Sequence, residues 1–172
     1  MTADPIPALT AAERRLITRV ADGASLDQIA ADPETRLRTG DVRSAISAVL
    51  VTTGTRTTCH LAAWATAQRI VTQPVHPSGA LTVTPSLSPR RRQILRGWAG
   101  GKTSPDLITE FGISPTTMRT YCKTLLAELN VSCSVQAVVV GVLARLVLLS
   151  DIDPAWPAEP IAQATGARSA AL

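Results

Sequence analysis

The sequence is poor in the residue types on which most enzymes and secreted scaffolds depend. Of 172 residues only five are aromatic, Phe111, Tyr121, Trp64, Trp98 and Trp156, and only two are histidines, His60 and His76. Two histidines scattered among non-ligating residues suggest no metal site, and Asp151 and Asp153 read as solvated tail residues rather than paired catalytic carboxylates. Three cysteines, Cys59, Cys122 and Cys133, lie in no Cys-x-x-Cys or Cys/His spacing, which fits a reducing compartment better than a disulfide scaffold. Long hydrophobic runs are also missing. The stretch from Val135 to Leu149 is interrupted by Gln136 and Arg145 and is short for a bilayer crossing. Met1 to Leu9 carries Asp4, Pro5 and Pro7 without a basic flank, so neither a signal peptide nor an anchor is expected. These scarcities point away from an enzyme, a cofactor, a metal and a membrane, and towards the cytoplasm.

What the chain does have is an internal repeat. Leu9 to Ile17 has a counterpart 78 positions later in Leu87 to Leu95, and Ala21-Asp22-Gly23-Ala24-Ser25 lines up with Ala99-Gly100-Gly101-Lys102-Thr103. Farther on the offset is 76: Val42-Arg43 lines up with Met118-Arg119, Leu50 with Leu126, Gly54 with Asn130 and Arg69 with Arg145. The N-terminal repeat therefore holds two extra residues between Ala31 and Val42. The chain is long enough for two small domains, and the register selects two.

Each repeat reads as four short helices. In the C-terminal one, Ser88 is an N-cap with Pro89 at the first helical position, and Ile94, Leu95 and Trp98 form a stripe before Gly100-Gly101. Ser104 caps a second helix that Gly112 stops, and Ser114-Pro115 opens a third running to about Glu128. Met118, Cys122, Leu125, Leu126 and Leu129 face inward on it, and Thr116, Arg119, Thr120 and Lys123 face out. A fourth helix is expected from about Ser134 to Leu148. In the N-terminal repeat, Thr10 and Ser25 cap the first two helices, the third runs from Thr39 or Gly40 to Val51, and the fourth from about Thr57 to Val71.

Two helices at a tight turn, the second with small polar and basic residues on its outer face, are the physical core of a helix-turn-helix DNA reader. Leu87-Ser88-Pro89-Arg90, Ile94-Leu95, Ala99-Gly100-Gly101-Lys102-Thr103, Gly112 to Arg119, Leu125-Leu126, Leu129-Asn130-Val131 and Gln136-Ala137-Val138 together resemble the DNA-binding domain of the LuxR/NarL class of bacterial transcription regulators. The N-terminal repeat resembles it more remotely, through Leu9 to Arg14, Val20 to Ser25, Ile29-Ala30, Val42-Arg43, Val49-Leu50 and Gly54. The fold class implied is all-α, two tandem four-helix LuxR-type helix-turn-helix domains. The boundaries expected are a flexible tail at 1–8, a divergent domain at 9–71, a linker at 72–86, the DNA-binding domain at 87–150 and a flexible tail at 151–172.

By that resemblance, Arg119, Thr120 and Lys123 make the major-groove contacts, while Thr116 and Thr117 stand at the helix start, where Thr117 and the backbone amides position a phosphate. The corresponding N-terminal residues are Arg43, Ser44 and Ser47, with Asp41 where Thr117 stands, an acid that repels phosphate. Residues 9–70 carry a net +2 and residues 87–146 a net +5, within a chain of formal charge +4. Arg90, Arg91, Arg92 and Arg96 are candidates to extend the basic patch. Departures from the family pattern, Arg91, Pro105, Tyr121 and Asn130, bear on the target sequence more than on the fold.

The family generally dimerises through its last helix. Val138, Val139, Val142, Leu143 and Leu146 spread apolar surface around the fourth helix of the C-terminal repeat, which predicts a partner surface. The reading favours a homodimer; the alternative is the matching helix of the N-terminal repeat. The expected partner is double-stranded DNA, on the nucleoid, and a regulatory protein is a further candidate. The competing class is a protein-interaction adaptor or anti-regulator that keeps the fold.

Overall fold

The computed structural model describes residues 7–73 and 86–162. Most of the expected linker and both chain ends lie outside those residues. Among the described residues the regular structure is all helical. Ala11–Ala21 (α1), Leu26–Ala30 (α2), Val42–Thr53 (α3) and Thr58–Ala67 (α4) make an N-terminal cluster; Pro89–Ala99 (α5), Ser104–Phe111 (α6), Pro115–Glu128 (α7) and Ser134–Leu143 (α8) make a C-terminal one. A short helix, Leu149–Ile152 (α9), follows.

Side-chain caps set most of the starts. Thr10, Ser25, Thr57, Ser88, Thr103 and Ser114 each accept a bond from a backbone amide in the first turn, which satisfies a donor that the helix leaves open. The cap of α6 is Thr103 rather than Ser104. Thr103 and Asp106 bond reciprocally, so Ser104 and Pro105 become the first two helical residues.

The helix ends repeat in the register read from the sequence. After α1 the Ala24 amide bonds to the Arg19 carbonyl, and at the matching place after α5 the Lys102 amide bonds to the Gly97 carbonyl. Gly54 and its counterpart Asn130 both have positive φ, and the amides that follow them bond back to Leu50 and Leu126. Arg69 (φ 59) and Arg145 (φ 61) then close α4 and α8 alike: Ile70 and Val71 bond to the Ala65 carbonyl, Leu146 and Val147 to Gly141. The two clusters are consistent with a duplicated four-helix arrangement. Those turns also end the fourth helices at Ala67 and Leu143, about one turn earlier than periodicity predicts. The buried Val71, Leu146 and Val147 follow the turn rather than the helix.

α4 and α8 form the centre of the molecule and run side by side in the same sense. At their N-terminal ends the Cys59 thiol donates to the Ser134 hydroxyl at 3.4 Å; at the other end Thr66, Arg69, Leu143 and Arg145 line one cavity of about 300 Å³. Leu61 to Ala65 and Ala137 to Val142 are buried, so both helices are apolar nearly all round, as core helices are. The residues expected at a homodimer surface are largely covered within the single chain. Val138, Val139 and Val142 are at most 2% exposed and Leu146 is 6% exposed within a single chain, with Leu143 half-buried. α8 packs on α4, α5, α1 and α7.

Where a flexible tail is expected from Asp151, residues 151–162 instead fold back. Leu149 and Ser150 donate to the carbonyls of Glu159 and Pro157, Ile152 is buried, and α9 packs on α5 and α4. Leu148, Leu149 and Ile152 supply the apolar side, in a run too short for a periodic signal.

Candidate nucleic-acid interface

α6 and α7 meet at a tight turn, Gly112-Ile113-Ser114. Gly112, at φ 60, ends α6, and the Ile113 amide bonds back to Ile108 at 3.3 Å. Ser114 then starts α7, accepting from the Thr117 amide at 3.0 Å and sharing a 2.9 Å hydroxyl contact with Thr117. Pro115 occupies the first helical position, where its missing N–H costs nothing.

The inner face of α7 is anchored by Met118, Leu125 and, at its C-cap, Leu129, none more than 2% exposed. Cys122 is half-buried among them, and burial pushes its thiol up, so it behaves as a small apolar group. On the opposite side Thr116, Thr117, Arg119, Thr120 and Lys123 are all exposed. The Thr120 hydroxyl donates to the Thr116 carbonyl at 3.2 Å. At the helix start the Met118 amide bonds to Ser114, and the Thr116 amide has no partner among the described residues. The opening of α7 thus offers one free N–H and two hydroxyls to an anion.

Arg119 and Lys123, one turn apart, make no ion pair among the described residues. Most other cations of this cluster have structural partners. Arg91 bonds Glu128 at 3.0 Å, tying α5 to α7; Arg96 reaches Asp151 at 3.3 Å and the Leu146 carbonyl at 3.2 Å; Lys102 pairs with Glu110. Arg90 lies 4.4 Å from the Phe111 ring centroid. Of the four α5 arginines proposed to widen the basic patch, Arg92 is the exposed one. Glu128 and Asp151, which neutralise Arg91 and Arg96, stand on other elements far along the chain, so only the packing of α7 and α9 on α5 reveals the pairing.

The N-terminal cluster presents a different surface. Arg43, Ser44 and Ser47 lie on α3, and the Ser47 hydroxyl donates to the Arg43 carbonyl at 3.0 Å; Arg43 and Ser44 are exposed and Ser47 is exposed as well. However, α3 begins at Val42, the position that matches Met118, so the turn that opens α7 has no helical counterpart. Asp41 stands at the N-cap in an αR conformation without a side-chain cap bond. The stretch between Ala31 and Val42, where this repeat is two residues longer, starts with a charged anchor instead. The Asp32 carboxylate, with its side chain 7% exposed, bonds Arg15 at 2.8 Å and the Glu34 amide at 3.0 Å, and lies 3.4 Å from Arg19. Burial would raise its pKa, but the Glu34 amide and the two arginines together hold it below the usual carboxylate range.

Among the described residues no cluster of histidine, cysteine or carboxylate side chains could hold a metal ion, and no helix is long and apolar enough to cross a membrane.

Residues 85–141 match the family model described as bacterial regulatory proteins, luxR family, which covers about a third of the chain. Comparison with curated proteins and with solved structures returns no match. The C-terminal cluster therefore carries a LuxR-type helix-turn-helix domain, and DNA-binding transcriptional regulation is the function such a domain supports.

Proposed function

We propose that the chain is a sequence-specific transcription regulator in which α7 is the recognition helix and the N-terminal cluster takes the place of a second subunit. Arg119, Thr120 and Lys123 enter the major groove, and Thr116 and Thr117 with the open amide at the start of α7 hold a phosphate. The observation that carries this reading is the pair of exposed cations on a capped helix, without ion-pair partners among the described residues, while most neighbouring cations are engaged. Such charges are available to replace the counterions of a DNA backbone.

The N-terminal cluster supports this by covering α8 with α4, in place of the homodimer contact. Its own helix α3 lacks the opening turn and has Asp41 at its N-cap, so Arg43, Ser44 and Ser47 contribute little to affinity. Selection of genomic fragments by the purified chain tests the reading. Arg119→Ala and Lys123→Ala each weaken binding to the selected site, by about 1–3 kcal/mol where the side chain reads a base, whereas Arg43→Ala changes it little.

A second reading, an adaptor that holds another protein, is favoured by one feature: Val51, on the outer side of α3, is 83% exposed. Failure of the folded chain to select any DNA, together with capture of a protein partner that Val51→Lys abolishes, would establish it instead.

A further inference from the structure

The two clusters touch through a pair of contacts made by residues that match in the repeat register, Gln136 and His60, although the carbonyls they reach, Asp22 and Ile152, do not match. Gln136, in the first turn of α8, uses Oε1 to accept from the Ser132 amide at 3.0 Å, and its Nε2 donates to the carbonyl of Asp22, the C-cap of α1, at 2.7 Å. His60 stands at the matching place in α4, in the same repeat register that pairs Gly54 with Asn130. Its Nδ1 accepts from the Arg56 amide at 3.2 Å, and Arg56 is the counterpart of Ser132 in that register. Its Nε2 lies 3.0 Å from the carbonyl oxygen of Ile152, the last residue of α9, which packs on α5. The facing turns match as well. Gly23 (φ 74) follows α1 and Gly101 (φ 84) follows α5; a Cβ on Gly23 would lie 3.2 Å from Gln136 Nε2, and one on Gly101 would lie 2.9 Å from His60 Nδ1.

We propose that Gln136 and His60 are a matched pair of positioning residues that fix the two clusters against each other, and that the His60 half releases in acid while the Gln136 half does not. The amide of Gln136 has a permanent acceptor and a permanent donor. A neutral imidazole protonated on Nε2 reproduces that pattern, accepting at Nδ1 and donating to Ile152. A second proton must go to Nδ1, turning the acceptor into a donor aimed at the Arg56 N–H beside Gly101.

The charged groups around the ring lie in a cleft of about 560 Å³: Arg56 on its own turn, Asp153 after α9, and the pairs Arg96–Asp151 and Lys102–Glu110. Burial lowers the proton affinity of His60, against the Ile152 carbonyl, which raises it; Arg56 adds to the lowering and Asp153 opposes it, and the balance is downward. An unfolded histidine takes up its proton near pH 6.5. The neutral brace therefore contributes its full stability above that pH and loses it as the pH falls towards the lower folded value. This arrangement needs no DNA, so its test stands apart from the reading of α7.

Thermal melts of the full chain from pH 8 to pH 5, on the natural sequence and on His60→Gln, test it, because glutamine rebuilds the Gln136 arrangement without a titrating group. The melting temperature of His60→Gln stays close to that of the natural chain at pH 8, and the natural chain falls about 2–4 °C further than the variant by pH 5. Gln136→Ala lowers the melting temperature by a similar amount at both pH values. Nuclear magnetic resonance titration of the His60 ring in the natural chain supplies a readout that does not depend on any variant folding, with an apparent pKa below 6.5 expected. Parallel pH curves for the natural chain and His60→Gln, a Gln136→Ala chain as stable as the natural one, or a ring that titrates at or above 6.5 would overturn the proposal.

Discussion

Asp32 shows how one side chain can anchor the longer stretch of the N-terminal repeat. Its carboxylate sits under α1 with Arg15 and Arg19, and its lowered pKa ties cluster stability to pH. Because the folded carboxyl holds its proton less well than an unfolded one near pH 3.9, the stabilisation is complete above about pH 4 and disappears as the pH falls through the lower folded value. Asp32→Asn should therefore melt earlier than the natural chain at pH 7, and its melting temperature should fall less steeply below pH 4. The same residue marks a limit of sequence reading. The extra length is visible from the repeat register, but its role is not, since the partners Arg15 and Arg19 lie a full helix away.

At the scale of single elements, local chemistry makes most of the fold legible. Thr10, Ser25, Thr57, Ser88 and Ser114 read as helix starts from their position before an apolar stripe, and each accepts a first-turn amide. Periodicity carries the fourth helices too far, because apolar residues beyond the turn are buried as well and blur the helical period. α9 escapes it altogether, since so short a helix gives no pattern to count. Ser114 matters most among the caps, as it fixes both the start of α7 and the place of Thr117. Ser114→Ala should cost about 1 kcal/mol of stability, measured by denaturant unfolding, and should weaken DNA binding more than Ser25→Ala, which removes a cap in the N-terminal cluster.

For the whole molecule, the pairing of α4 with α8 joins both clusters into one core. Leu61 on α4 is 1% exposed, and Leu61→Ala should destabilise by about 2–5 kcal/mol. Its effect should reach the C-terminal cluster: Trp64 and Trp98, one buried in each cluster, should report a single coincident unfolding transition in variants that retain one tryptophan at a time. Two separated transitions would show the clusters to be independent domains. The same packing explains why the expected homodimer surface is covered. The excess apolar surface of the last helix is legible in the residues, but the sequence pattern does not say whether a second chain or the other repeat covers it. Charge distribution, by contrast, is legible from the start. The net +5 of residues 87–146 lies in the cluster that carries the LuxR-type match, although half of those eight basic side chains, Arg90, Arg91, Arg96 and Lys102, turn out to be engaged.

The central claim is that α7 reads DNA through Arg119 and Lys123, and its most direct measurement is binding of the purified full chain to a fragment that it selects from genomic DNA, followed across a salt series. The account predicts sequence-selective binding by the natural chain, weaker binding by Arg119→Ala and Lys123→Ala, and a salt slope shallower by about 0.9 for each phosphate that a substitution leaves unneutralised. A folded chain that selects no fragment, or one whose affinity and salt slope are untouched by both substitutions, would contradict it.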